Sequence, residues 1–214
     1  MTASTELEAL AVEASTCTRC ALAEGRTQVV FGTGDPHADV VFVGEAPGAE
    51  EDRQGLPFVG RSGQLLDRLM EEEMGMRRGE GVYILNTLRC RPPGNRDPQP
   101  EEIEACWPWL EAQLDLIEPR VVVTLGNFAT KLLLGTKLGI TKLRGRSYPW
   151  RNAVLVPTYH PAAVLRGGGA PMAQMRADLV RAKQALAATP VDRSPDPVPT
   201  ASPAPEDDDI RLFD

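Results

Sequence analysis

Four cysteines, Cys17, Cys20, Cys90 and Cys106, are the first residues whose type and spacing suggest chemistry. Cys17 and Cys20 form a Cys-x-x-Cys pair, which in a chain with no charged-then-apolar leader points to metal or redox chemistry rather than a disulfide framework. Cys90 and Cys106 have fifteen residues between them, so they do not form the second knuckle of a zinc ribbon. A single four-cysteine site would use every thiol, and the spacing suits zinc and an iron–sulfur cluster equally. The plain alternative is four unrelated buried thiols. A second group of residues follows the apolar run Val40–Val43: Gly44, Glu45, Pro47 and Gly48, then the acids Glu50, Glu51 and Asp52, then Phe58 after a Gly-Leu-Pro turn. Two further polar residues close apolar runs. Asn86 ends VYILN, and His160, one of two histidines, follows Thr158-Tyr159 and precedes Pro161. An asparagine at a strand end ordinarily caps the next turn, and a lone histidine is ordinarily a hydrogen-bonded structural group. His37, in the turn Asp35-Pro36-His37, reads as exposed.

The elements that must position these groups are legible in outline. Residues 4–14 suit a short helix that delivers Cys17 and Cys20 into a loop. Val29–Gly32 reads as a short strand. Continuous apolar runs near 40–44, 82–88, 120–125 and 153–156 read as strands covered on both faces. Helical spacing recurs near 63–73, from Pro100 onward with Cys106 in its second turn, at 128–134 and near 171–188. Strands alternating with helices predict an α/β fold, a three-layer α/β/α sandwich with a four-stranded, mainly parallel sheet. In such sheets ligands bind outside the carboxyl ends of the strands, and every strand here ends in unusual polar residues. Residues 1–188 form one domain. Residues 189–214 form a Pro-rich, acidic, disordered tail that ends in the apolar island Ile210-Arg211-Leu212-Phe213.

Charge narrows the function classes. The 214-residue chain carries a formal charge of −7, but residues 189–214 account for −5 of it. From Pro119 to Ala177 there is no Asp or Glu, while nine Lys and Arg residues fall in the same stretch. Such a face suits a polyanion, DNA or RNA, unless acids elsewhere in the fold neutralise it. No apolar run is long enough to span a bilayer, which predicts a cytoplasmic protein without a membrane partner, and nothing suggests more than a monomer.

Three stretches together, GEAPGAEEDRQGLPFVGRSGQLL (44–66), NTLRCRPPGNRDPQPEEIEAC (86–106) and YHPAAVLR (159–166), resemble the iron–sulfur, family 4 uracil-DNA glycosylases. The resemblance covers about residues 14–186 and implies the uracil-glycosylase α/β/α fold. It implies a [4Fe-4S] cluster on Cys17, Cys20, Cys90 and Cys106, a base pocket of Gly44, Ala46, Phe58, Asn86 and His160, and hydrolysis of the uracil N-glycosidic bond in DNA. Phe58 would stack on the base, Asn86 would read its edge and His160 would act on a pyrimidine oxygen, with Glu45 and Glu51 beside the sugar. In better-known relatives outside this family the position of Ala46 is an acidic or amide residue that positions water. Here Glu51 is the candidate for that task and Glu45 the second. Arg91, Lys142, Arg144 and Arg166 are candidate phosphate contacts, with Arg166 near a segment that could wedge into the duplex. Asp209–Phe213 resembles the Leu-Phe motifs by which bacterial repair proteins bind the sliding clamp. Two other readings are a non-catalytic uracil- or DNA-binding relative and an iron–sulfur electron carrier; the acid-free basic stretch disfavours the second.

Overall fold

The structure is a computed structural model and describes residues 2–188. The predicted tail and its Ile210–Phe213 end lie outside the described residues. The middle layer is a six-stranded sheet in the order β1-β3-β2-β4-β6-β5. Its strands are β1 Thr33–Gly34, β2 Val40–Gly44, β3 Val82–Asn86, β4 Val121–Leu125, β5 Tyr148–Trp150 and β6 Ala153–Thr158. The four expected strands, β3-β2-β4-β6, run parallel at the centre. The expected count of four is corrected by two short antiparallel edges, β1 on β3 and β5 on β6. β1 lies at Thr33–Gly34 rather than Val29–Gly32, and β5 centres on Pro149, which an edge strand tolerates because one side of its ladder is unpaired.

Alternation along the buried strands builds both outer layers. Val40, Phe42, Val121, Val123 and Val156 face one side, where they meet Leu66 and Leu69 of α4 (Arg61–Leu69) and Met175 and Leu179 of α9 (Gly169–Ala187). Val41, Val43, Leu85, Val122 and Leu155 face the other, against Leu7 of α1 (Ala3–Ser15), Leu110 and Leu114 of α5 (Pro100–Ile117) and Leu133 of α6 (Asn127–Leu134). Each fully buried aliphatic side chain contributes about 1.5–3 kcal/mol, so the two faces hold the strand tips rigidly. A third cluster, Ala14, Leu22, Leu88, Cys90, Cys106 and Trp109, packs α1 and the short α2 (Leu22–Gly25) beside α5. The acidic loop expected after β2 is largely a helix, α3 (Ala49–Gln54), with Glu50, Glu51 and Asp52 in its first turn, where the helix dipole favours carboxylates. The helix expected near 63–73 ends at Leu69 and passes into a π-helical turn, Met70–Met74. Two more helices flank the last strand, α7 (Ile140–Leu143) and α8 (Pro161–Gly167). Among the described residues no helix is long and apolar enough to cross a membrane.

Candidate active site

The chain order in the sheet steps from β2 to β3 on one side and to β4 on the other, so the loops leaving their carboxyl ends diverge and open a crevice. Gly44 ends β2 in register with Asn86 at the end of β3. A Cβ on Gly44 would sit 2.3 Å from Asn86 Oδ1 and 2.6 Å from Phe58 Cζ, so only glycine admits both groups. Phe58 adopts a left-handed backbone (φ 53°), a conformation that non-glycine residues hold only under constraint. The constraint comes from three directions. Arg78 donates to the carbonyls of Pro57 at 2.8 Å and Phe58 at 2.5 Å while paired with Asp67. Glu51 Oε1 accepts from the Val59 and Gly60 N–H groups at 3.0 and 3.1 Å. α4 presses its Gly63 so close that a Cβ there would lie 1.6 Å from the Phe58 carbonyl oxygen. The Phe58 ring then stands 5.7 Å from the His160 ring, centroid to centroid, with 31° between the planes.

His160 ends the turn after β6 and caps α8. Its Nδ1 accepts from the Ala162 N–H at 3.1 Å, which leaves Nε2 as the protonated, donating nitrogen. Burial, seconded by the charge of Arg166 and opposed by Glu51, pushes its pKa down to about 4. At neutral pH it is therefore a neutral donor. Asn86 is buried, and its Oδ1 has no hydrogen-bond partner. The shared cavity, about 90 Å³, is lined by Ala46, Glu51, Phe58, Ser62, Asn86 and His160. The structure thus brings together five of the expected residues and adds Ser62, in the first turn of α4, which the sequence did not single out. Glu45 lies outside this lining. Burial, with the charge of Asp97, raises its pKa, and its carbonyl accepts from Leu88 N–H at 3.0 Å, beside the loop that follows β3.

The four cysteines line one hollow between α1, α2, the loop after β3 and α5. No disulfide joins them. Arg26 Nη1 lies 3.6 Å from Cys90 Sγ, and the Arg89 backbone N–H donates to Cys106 Sγ at 3.3 Å. Burial pushes the Cys90 thiol up to about 11 and also raises Cys106, so thiolates here require a bound cation. Among the described residues no three Cys, His, Asp or Glu groups converge as ligands of one ion. Two buried N–H donors that line the same hollow, Trp109 Nε1 and Arg89 Nε, have no partner. A polynuclear cluster carries inorganic sulfides that accept from such donors, which a single zinc ion lacks, so the donor set fits a cluster better.

The acid-free basic stretch is partly neutralised by acids from other elements. Arg120 pairs with Asp39, Arg151 with Glu111 and Asp115, and Arg176 with Glu72 and Glu73. The candidate Arg144 is engaged in the same way. Its guanidinium grips the buried Asp178 at 2.7 and 2.9 Å, so it ties α9 to the end of α7, while Thr158 of β6 donates to the same carboxylate at 2.8 Å. Lys142 and Arg166 are exposed and have no ion-pair partner among the described residues, and Arg91 donates only to Asn95 Oδ1, at 2.8 Å. Beside Arg166, Leu165 exposes 42 % of its surface; Leu56, two residues before Phe58, exposes 45 %.

Fold and site together define an α/β/α protein with a small cavity at its parallel strand tips, lined by an aromatic ring, a histidine, an asparagine and a glutamate. The chain belongs to the uracil DNA glycosylase superfamily, whose family model matches residues 31–184. It is similar to the type-4 uracil-DNA glycosylase of Sulfurisphaera tokodaii, 46 % identical over 168 residues that cover 74 % of this chain and 76 % of that protein. The type-4 uracil-DNA glycosylase of Thermotoga maritima is 47 % identical over 162 residues, 75 % of this chain and 83 % of that protein. That of Saccharolobus solfataricus is 41 % identical over 194 residues, 86 % and 88 % of the two chains.

Proposed function

We propose that this chain hydrolyses the N-glycosidic bond of uracil in DNA, leaving an abasic site for base excision repair. The observation that carries the reading is the unpartnered, buried Asn86 Oδ1. A buried acceptor left unmet costs about 1–3 kcal/mol, and uracil N3–H would satisfy it while Asn86 Nδ2 donates to O4. Cytosine presents the reversed edge, an acceptor at N3 and a donor at N4. The base must leave the stack to reach this pocket, and the Phe58 ring offers it a stacking surface in exchange.

The reaction places positive charge on the sugar and negative charge on the departing base. The C1′–N1 bond breaks with its electron pair moving onto the base, where His160 Nε2–H donates to O2 and stabilises the anion without giving up its proton. Water adds its oxygen to C1′ and releases a proton that balances the departing anion. Glu51 has one oxygen committed to the Val59 and Gly60 amides, and its Oε2 remains to orient that water and offset the sugar's charge. Glu45, outside the cavity lining, has the weaker claim.

Cys17, Cys20, Cys90 and Cys106 would hold a [4Fe-4S] cluster, whose chemistry here is cross-linking: it would tie α1, α2 and α5 to the loop after β3. Arg91, Lys142 and Arg166 would hold phosphates, and the exposed Leu165 would fill the gap left by the extruded base. Ile210–Phe213, outside the described residues, would dock on the sliding clamp, and deletion of residues 210–214 would abolish co-purification with it while sparing activity on short oligonucleotides.

The direct test incubates the protein with a uracil-containing single strand and then treats the DNA with alkali. Strand cleavage at uracil alone is expected; a retarded but uncleaved complex would overturn the catalytic reading. Iron and sulfide in equal amounts are expected on the chain, and stoichiometric zinc would overturn the cluster.

A further inference from the structure

Arg89 is the bulkiest fully buried side chain among the described residues, 2 % exposed, and no carboxylate pairs with it. A buried guanidinium without a counter-charge is costly unless an anion lies elsewhere within reach. The titratable groups near enough to influence it are Cys106, Tyr83 and Cys90, two of them candidate cluster ligands that become anions only on binding a cation. Arg89 is also among the residues lining the cysteine hollow, and its buried Nε has no hydrogen-bond partner among the described residues. Its other end points back along β3. Nη1 donates to the carbonyl of Asn86 and Nη2 to Gln113 Oε1, and Gln113 is itself fixed by donating to the Phe31 carbonyl at 3.0 Å. Four thiolates around a [4Fe-4S]2+ core leave about two negative charges. Arg26, against Cys90 Sγ, and Arg89 supply two positive ones.

We propose that Arg89 is a positioning residue that balances the charge of the four-cysteine centre and at the same time braces the backbone of Asn86, so that base recognition depends on that centre. The proposal rests on the cluster reading above and goes beyond it, because it gives the centre a consequence for uracil specificity rather than for loop stability alone. Arg89 is among the residues lining the hollow, and its guanidinium donates to the carbonyl of Asn86, at the strand end proposed to read the base.

The test uses the full-length holoprotein and first measures its iron and sulfide; their absence would refute the cluster reading itself. Arg89→Met, Arg89→Lys and Gln113→Met are then compared by release of iron to a chelator and by inhibition with free uracil. Arg89→Met should release iron at least about tenfold faster, and Arg89→Lys, which keeps the charge, should stay near wild type. Gln113→Met should retain iron yet weaken uracil inhibition, because the guanidinium loses the acceptor that holds it in place. Arg89→Met should weaken uracil inhibition by about tenfold, and adding Asn86→Ala to it should cost less than the two losses combined. A loss of stability alone would not produce that coupling. Wild-type iron retention in Arg89→Met, or equal loss in Arg89→Lys, would overturn the counter-charge role. Unchanged uracil inhibition in Arg89→Met or in Gln113→Met would overturn the brace. Should Arg89→Met fail to fold, Arg89→Lys and Gln113→Met still decide both parts.

Discussion

His160 makes a pH prediction that separates two ways of assisting base departure. A protonated imidazole acting as a general acid would lose activity as the pH rises through the ordinary histidine value of 6.5. The structure makes it a neutral donor instead, with Nδ1 engaged by the Ala162 amide and a pKa pushed down to about 4 by burial and then by Arg166. Single-turnover uracil release should therefore stay level above pH 6.5 and fall only as the pH approaches about 4. The stability consequence follows from linkage. The unfolded chain binds a proton at this histidine near pH 6.5 and the folded chain only near 4, so falling pH favours the unfolded state across that window. At about 1.4 kcal/mol per pH unit, the loss is about 3 kcal/mol and is complete below the folded value. Burial also raises the carboxyls of Glu45 and Asp178, which favour the folded state as the pH falls and so act with the opposite sign to His160. His160→Gln, which keeps a donor but cannot titrate, isolates the histidine's share: it should remove the low-pH stability loss attributable to this site. His160→Ala should slow release by about 10²–10³-fold, the usual cost of deleting one donor to a developing oxyanion. A rate that declines as pH rises through 6.5 would refute the neutral-donor argument, and so would wild-type release by His160→Ala.

Gly44→Ala puts a methyl 2.3 Å from Asn86 Oδ1 and 2.6 Å from the Phe58 ring, so inhibition by free uracil should vanish and the thermal midpoint should fall, overpacking costing about 1–3 kcal/mol; retained inhibition would show that the pocket lies elsewhere. Glu51→Gln keeps a carbonyl oxygen for the Val59 and Gly60 amides but removes the charge, and should slow release at least about tenfold with DNA affinity intact; unchanged release would remove Glu51 from the mechanism. Lys142→Ala and Arg166→Ala should each lower the slope of log affinity against log salt by about 0.7–0.9, whereas Arg144→Met should leave that slope alone and instead lower stability, because Asp178 loses its partner. A salt slope that drops in Arg144→Met would put that guanidinium back on the phosphates.

The centre of the fold was legible because parallel strands buried on both faces write themselves as unbroken apolar runs, as at Val40–Val43 and Val121–Val123. The edges were not. A two-residue strand at Thr33 and a Pro-centred one at Pro149 carry too little pattern to stand out from loops. Asn86 closes β3 and His160 follows β6, so those two were anticipated at the strand tips, whereas Phe58, between α3 and α4, was expected there from the family resemblance. The pairing within the basic stretch was not legible, for a different reason. Composition counts the nine cations between Pro119 and Ala177 but cannot show that Asp39, Glu72, Glu111, Asp115 and Asp178 reach four of them from other elements. Ser62 and Arg78 left no signal either, since Ser62 reaches the cavity only through the placement of α4 and Arg78 acts on backbone carbonyls, which any residue supplies.

Those carbonyl contacts explain how a small pocket can be ready before the base arrives. A non-glycine residue at φ 53° costs about 1–3 kcal/mol, and the two bonds from Arg78 and the two accepted by Glu51 are what hold Phe58 there. Asn86 keeps a buried acceptor without a partner among the described residues, and its own carbonyl is held by Arg89. Both are local costs borne by the free protein and set against the rigidity of a sheet buried on two faces. A base with the matching edge relieves the unmet acceptor, and one with the reversed edge adds a second unmet group beside it. Discrimination therefore comes less from what the pocket offers uracil than from what it withholds from everything else, and that holds only while Asn86 cannot move to find a partner of its own.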